Sequence, residues 1–186
     1  MKIFKLLLVA IALLLVAFVG VGLLLSPEFE VDRAITIRAE PAQIHALVGD
    51  LERWEEWTPW KEVDPSVVTT LGSQTTGIGA HQSWTDRNGG GELTFTDSSL
   101  ERGVAYDMLF FMGETNHENA SPATGQVRYR PVDGGTEVRW TMQGSMPFPV
   151  VGGYFAKLMP GSIGGMFEIG LEKLKKAAEA EPVPAG

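Results

Sequence analysis

Three histidines, His45, His81 and His117, are the side chains of this 186-residue chain that titrate near neutrality, and so the first candidates for acid–base work or metal binding. They lie far apart, on a stretch of helical spacing, at the start of a strand pattern and in the polar loop GETNHENASP. No two have the HxxxH or HxH spacing of a zinc site, and no neighbour in sequence stands as an orienting partner for a general base. There is no cysteine, which removes disulfides, thiolate nucleophiles and sulfur-ligated metals. Asp32, Asp64, Asp86 and Asp97 are scattered acids whose spacing pairs no two carboxylates, and solvent exposure is their default. The glycines of GIGAH, NGGG and DGG read as turn or bulge glycines, because none follows the strand, Gly-rich loop and helix order of a phosphate cradle. Asn119-Ala120-Ser121 matches a glycosylation sequon but is followed by Pro122, and is read as chance. The expectation is a chain with no metal and no cofactor.

What positions the remaining side chains begins with residues 6–25, LLLVAIALLLVAFVGVGLLL, an apolar run that no charge interrupts. As a helix of ~1.5 Å rise per residue it spans roughly 30 Å, the thickness of a bilayer's hydrocarbon core. Lys2 and Lys5 precede it, and positive flanks stay cytoplasmic. The rest of the chain is thus expected outside the cytoplasm, as the periplasmic or extracellular domain of a single-pass inner-membrane protein. A cleaved secretory signal is the competing reading. Its apolar core is usually ~7–15 residues and ends at a small-x-small site. Here the run is longer, Gly20-Val21-Gly22 lies inside it, and no Ala-x-Ala follows. The expected division is residues 1–5 cytoplasmic, 6–25 membrane anchor, 26–180 a single domain and 181–186 a fraying tail.

The whole chain carries a net charge of −8, and without its two N-terminal lysines the exterior part carries −10. So acidic a domain is a poor partner for nucleic acid. Anionic headgroups repel it too, so the apolar run must supply membrane attachment.

Beyond the anchor the hydrophobic period changes. Val31, Ile35 and Ile37 alternate as a strand. Pro41 suits a first helical turn, and Ile44, Leu47, Val48 and Leu51 recur at three and four, so two short helices are expected from Pro41 to about Trp57, jointed at Gly49-Asp50. Strands follow at His81–Asp86 and Glu92–Ser98 across an Asn88-Gly89-Gly90-Gly91 turn, then at Gly103–Met112. Thr124–Val132 and Thr136–Gly144 make a further hairpin around Asp133-Gly134-Gly135. Met166, Phe167, Leu171 and Leu174 line one face of a last long helix, which Pro160 and the glycines at 161, 164 and 165 are expected to break from a helical stretch near Tyr154–Met159. The order, with about six antiparallel strands between the helices, is an α+β arrangement in which one sheet face is buried against helices.

VDRAITIRAEPAQIHALVGDLERWEEWTPW, GIGAHQSW, and GGTEVRWTM with GMFEIGLEKLKK carry a resemblance. With that order of elements, from Val31 to Ala180, the chain resembles the SRPBCC superfamily. That group includes START domains, the birch-pollen-allergen (Bet v 1-like) fold and the polyketide cyclase/dehydrase group. The resemblance implies a helix-grip fold, in which a curved antiparallel sheet wraps a long C-terminal helix and leaves a cavity for apolar ligands. It also implies that Trp54, Trp57 and Trp60 of WEEWTPW plug one end of the sheet; as a gate or an interfacial anchor they would serve binding instead. It does not choose among carriers, cyclases, hydrolases and assembly subunits.

Strand parity sketches the lining. If Asp107 is wet, Tyr106, Met108 and Phe110 face inward. The same alternation sends in Leu93 and Phe95, Val127 and Tyr129, and Val138, Trp140 and Met142, with Trp84 if Ser83 and Thr85 face out. The candidate ligand-binding set is Trp84, Phe95, Tyr106, Met108, Phe110, Tyr129, Trp140 and Met142 from the sheet, with Met166 and Phe167 from the helix. Each taken singly reads as packing; the set, with its aromatics, methionines and two tyrosine hydroxyls, suits a pocket of few polar groups. The expected function is a membrane-anchored module binding an apolar small molecule or lipid. The alternatives are a cyclase- or hydrolase-type enzyme using the same pocket, or an assembly partner of another envelope protein.

Overall fold

The computed structural model describes residues 2–113, 120–146 and 148–180. His117, Asn119 and the tail 181–186 lie outside the described residues. The chain runs α1 (Lys2–Leu24), β1 (Glu28–Ile37), α2 (Pro41–Val48), a 3₁₀ turn (Leu51–Arg53), α3 (Trp54–Trp57), α4 (Trp60–Val63), β2 (Val68–Leu71), β3 (His81–Asp86), β4 (Gly89–Ser99), β5 (Gly103–Met112), β6 (Ser121–Val132), β7 (Gly135–Ser145) and α5 (Gly152–Ala180). All seven strands join one curved antiparallel sheet in the order β1-β7-β6-β5-β4-β3-β2, a meander from β2 to β7 with β1 laid along β7. This is the expected α+β helix-grip arrangement.

The register aligns the inward residues in rows. Val31, Met142, Gly125, Tyr106 and Phe95 face one another across β1, β7, β6, β5 and β4. Gly125 has a steric reason: a Cβ there would stand 2.3 Å from the ring of Tyr106. The alternation of β4 is broken after Phe95, where a bulge at Thr96 puts Asp97 opposite Ala105. Without that extra residue Asp97 would follow Phe95 into the core. With it, the carboxylate reaches Arg128 at 2.9 Å and Arg102 at 3.4 Å on the outer face.

Two expectations change. First, α5 is one helix of 29 residues that carries Pro160 within it, where the sequence predicts a break. Arg33 of β1 holds the helix at this point: its Nη2 donates to the Pro160 carbonyl at 3.0 Å and its Nε to Glu168. Gly164 leaves the space, since a Cβ there would sit 2.1 Å from Nη2. Of the glycines expected to interrupt the helix, Gly164 instead lets the guanidinium lie against it. Second, the connection after Trp57 contains α4 and the short strand β2, neither of which the periodicity shows.

The core lies between the sheet's inner face and the helices α2, α3 and α5, with Trp57, Trp140, Phe95 and Phe167 among its fully buried side chains. Helix α1 stands apart. By length and composition it is the one helix among the described residues able to cross a membrane, and its apolar side chains are exposed. Its C-terminal end meets the start of α5, where Tyr154 donates to the Phe18 carbonyl at 2.8 Å and stacks on the Phe18 ring with centroids 4.7 Å apart.

Candidate functional site

Between the sheet, α3–α4 and α5 lies a cavity of about 240 Å³. The sheet contributes Thr69, Gln82, Trp84, Leu93, Tyr106, Met108, Phe110, Trp140 and Met142; α5 contributes Ile163, Met166 and Phe167; the short helices and the turn after them contribute Trp54, Trp60, Val63, Asp64 and Val67. Exposed Val63 and partly buried Asp64, Val67 and Asp86 mark where the cavity reaches the surface. A dry apolar cavity of about 150 Å³ accepts a benzene ring. This one has room for about two rings or one short chain, and too little for both chains of a phospholipid.

The walls are held by aromatic contacts. Trp140 stacks on Phe167 with centroids 3.8 Å apart, and its Nε1 donates to the Tyr106 hydroxyl at 2.8 Å. Trp57 packs edge-on to Trp140 at 5.0 Å and donates to the Leu47 carbonyl, while Trp54 donates to the Val48 carbonyl at 2.9 Å. WEEWTPW thus does two things: Trp57, fully buried, plugs the sheet end, and Trp54 and Trp60 present faces to the cavity. Gly91 makes space for Trp84, because a Cβ there would fall 2.3 Å from the indole.

Polar groups are few. Burial pushes the Tyr106 hydroxyl far above its usual range, so it stays protonated at any physiological pH. Asp64, at the rim, accepts from the Ser66 hydroxyl at 2.7 Å and backbone N–H at 2.9 Å and from Arg87 at 2.8 Å, which hold it down to about 2. A carboxylate that acidic is a weak proton acceptor near neutrality. Asp86 accepts from the Asn88 backbone N–H at 2.7 Å. Among the described residues no cluster of His, Cys, Asp or Glu is arranged to hold a metal.

Of the candidate residues, Trp84, Tyr106, Met108, Phe110, Trp140, Met142, Met166 and Phe167 border the cavity. Phe95 and Tyr129 face inward but do not reach it. Phe95 lies beneath Trp54, centroids 5.8 Å apart, and Tyr129 stands near His45. His45, on α2, is half-buried there, with Nδ1 3.4 Å from the Tyr129 hydroxyl and Nε2 3.5 Å from Ser98 Oγ. His81 faces outward beside Thr94 at 3.0 Å. Neither histidine lines the cavity. Sequence reasoning did not single out Val63, Val67 and Thr69, which lie on elements without periodicity, or Ile163, beyond the expected helix break; Asp64 and Asp86, expected to be exposed, are partly buried at the cavity mouth. Gln82 was legible, since parity puts it on the same face as Trp84.

A family model described as polyketide cyclase/dehydrase and lipid transport matches residues 28–179. The chain belongs to this family. Solved structures share its fold at low sequence identity. A putative uncharacterised protein from Rhizobium leguminosarum aligns with TM-score 0.60 and 15% identity over 83% of this chain and 96% of that one. A protein from Chromobacterium violaceum aligns at 0.59 and 11%, over 82% and 98%. Ara h 8.0201 aligns at 0.52 and 13%, over 83% and 99%. These neighbours have the Bet v 1-like fold that the sequence resembles. No curated protein matches this member of the family by sequence.

Proposed function

We propose that the chain is a membrane-tethered module that binds a neutral, mainly hydrocarbon small molecule between its sheet and its C-terminal helix, on the outer side of the membrane. The single observation that carries this reading is the cavity of about 240 Å³ lined almost wholly by aromatic, methionine and branched apolar side chains. A void of that size in a solid core would be costly, since protein interiors pack to crystal density. Family membership supports the reading, because the family's description joins polyketide chemistry to lipid transport. Carriage is favoured over turnover: among the described residues the cavity's titratable groups are a high-pKa tyrosine and rim carboxylates, and His45 and His81 lie elsewhere. Tethering is supported by α1, with its exposed apolar surface and its lysines at the N-terminal end.

The test is native mass spectrometry of the full chain in detergent, looking for a co-purified small neutral ligand, with Met108→Trp as the variant. If the cavity holds a ligand, the added ring fills empty space, so the adduct is lost while the melting temperature changes little. In a filled core the same enlargement costs about 1–3 kcal/mol. A parent without adduct, together with a variant of much lower melting temperature, overturns the proposal.

A further inference from the structure

We infer that Gln82 is the specificity-determining residue of the cavity, its side-chain amide pairing with a single hydroxyl or carbonyl group on an otherwise hydrocarbon, ring-sized ligand. This rests on the cavity being a ligand site, as proposed above. Gln82 is 7% exposed. It stands on the inner face of the sheet, opposite Leu93, which in turn faces Met108 on the next strand. The other buried polar side chains have partners within the chain. Gln43 accepts from the Glu40 backbone N–H, Thr58 donates to the Trp54 carbonyl and Thr136 to the Ala39 carbonyl. No hydrogen bond among the described residues reaches the Gln82 amide, and its atoms are not sealed in protein but open onto the cavity. An amide that opens onto a cavity takes its hydrogen bonds from what enters that cavity. A donor and acceptor so placed is matched by a group the chain does not supply.

The surroundings narrow that group's chemistry. The charged residues lining the cavity are Asp64 and Asp86, both carboxylates. A carboxylate ligand would meet no cationic side chain in the cavity lining and, at the mouth, Asp86 together with an Asp64 that already occupies Arg87. Lys61 lines only a smaller outer recess of about 30 Å³ and is paired with Glu55. Gln82 borders both that recess and the main cavity. A ligand can therefore leave its one polar group at Gln82 and bury its hydrocarbon body against Met108, Trp84 and Phe110.

The test uses the full chain in detergent micelles with ¹³C-labelled methionine methyl groups, since Met108, Met142 and Met166 line the cavity. Naphthalene, 2-naphthol and 2-naphthoate are titrated into the parent and into Gln82→Leu, and each probe's affinity is taken as the parent-to-variant ratio, in which micelle partitioning cancels. The expected result is a fall of about tenfold for 2-naphthol in Gln82→Leu, the size of one net hydrogen bond, with naphthalene unchanged or tighter and 2-naphthoate weakest in the parent. Naphthalene binding to Gln82→Leu also shows that the variant is folded. Equal ratios for naphthalene and 2-naphthol would overturn the role of Gln82 and leave the cavity as a binding site. Methionine shifts from none of the probes in the parent would overturn both readings.

Discussion

The indole of Trp140 lies flat on the ring of Phe167, planes 5° apart, so β7 and α5 meet face to face at the inner wall of the cavity. Both side chains are fully buried. Phe167→Ala removes the stack and enlarges an existing void, and is expected to cost about 3–5 kcal/mol. Phe167→Leu should recover part of that. Chemical denaturation of the two variants measures the difference; equal and small losses would show that the helix does not depend on this contact.

Tyr106→Phe keeps the ring and removes the acceptor of the Trp140 N–H. That donor is buried and would be left unpaired, so the variant is expected to lose about 1–3 kcal/mol. The fall should appear in the denaturation midpoint with the slope unchanged.

Gly125 and Gly91 are complements to aromatic neighbours. Gly125→Ala drives a methyl group into the Tyr106 ring and Gly91→Ala into Trp84. Each should destabilise by about 1–3 kcal/mol. Combining Gly125→Ala with Tyr106→Leu should restore part of the loss, since the smaller side chain yields the space. A double-mutant cycle reads that coupling, and simple additivity would count against it.

His45 makes stability depend on pH. Burial beside Tyr129 lowers its pKa below the ordinary 6.5. Between the lowered value and 6.5 the unfolded chain holds the extra proton, so stability rises with pH through that window and is complete above it. His45→Gln should flatten the dependence of the denaturation midpoint on pH just below 6.5. An unchanged slope in the variant would assign the effect to other groups.

Lys2 and Lys5 ahead of α1 predict an exterior domain. Alkaline phosphatase fused after Ala180 should be active, and a fluorescent protein that matures only in the cytoplasm should stay dark at the same junction. The reverse pattern would invert the topology. Mass spectrometry of the purified chain should show residues 1–25 retained; loss up to about Gly22 would favour a cleaved signal.

Much of this protein is local in origin and was legible along the chain. The apolar run 6–25 is set by composition. The inward faces of β3 to β7 follow from alternation, because successive side chains on a strand leave opposite sides whatever the fold. That is why Trp84, Tyr106, Met108, Phe110, Trp140 and Met142 could be placed on one face. Parity tells which face a residue takes, not what covers it. Phe95 and Tyr129 share that face and yet lie outside the cavity, Phe95 under Trp54 and Tyr129 against His45. The contact that Arg33, distant in sequence, makes with the Pro160 carbonyl of an unbroken α5 is not local, and the outward turn of Asp97 rests on a one-residue bulge and on Arg128. The cavity is the least local feature of all. It is the space left where α3–α4, the sheet and α5 fail to close on one another, and that remainder, like the unpaired amide of Gln82 within it, exists only once three separated parts of the chain have packed together.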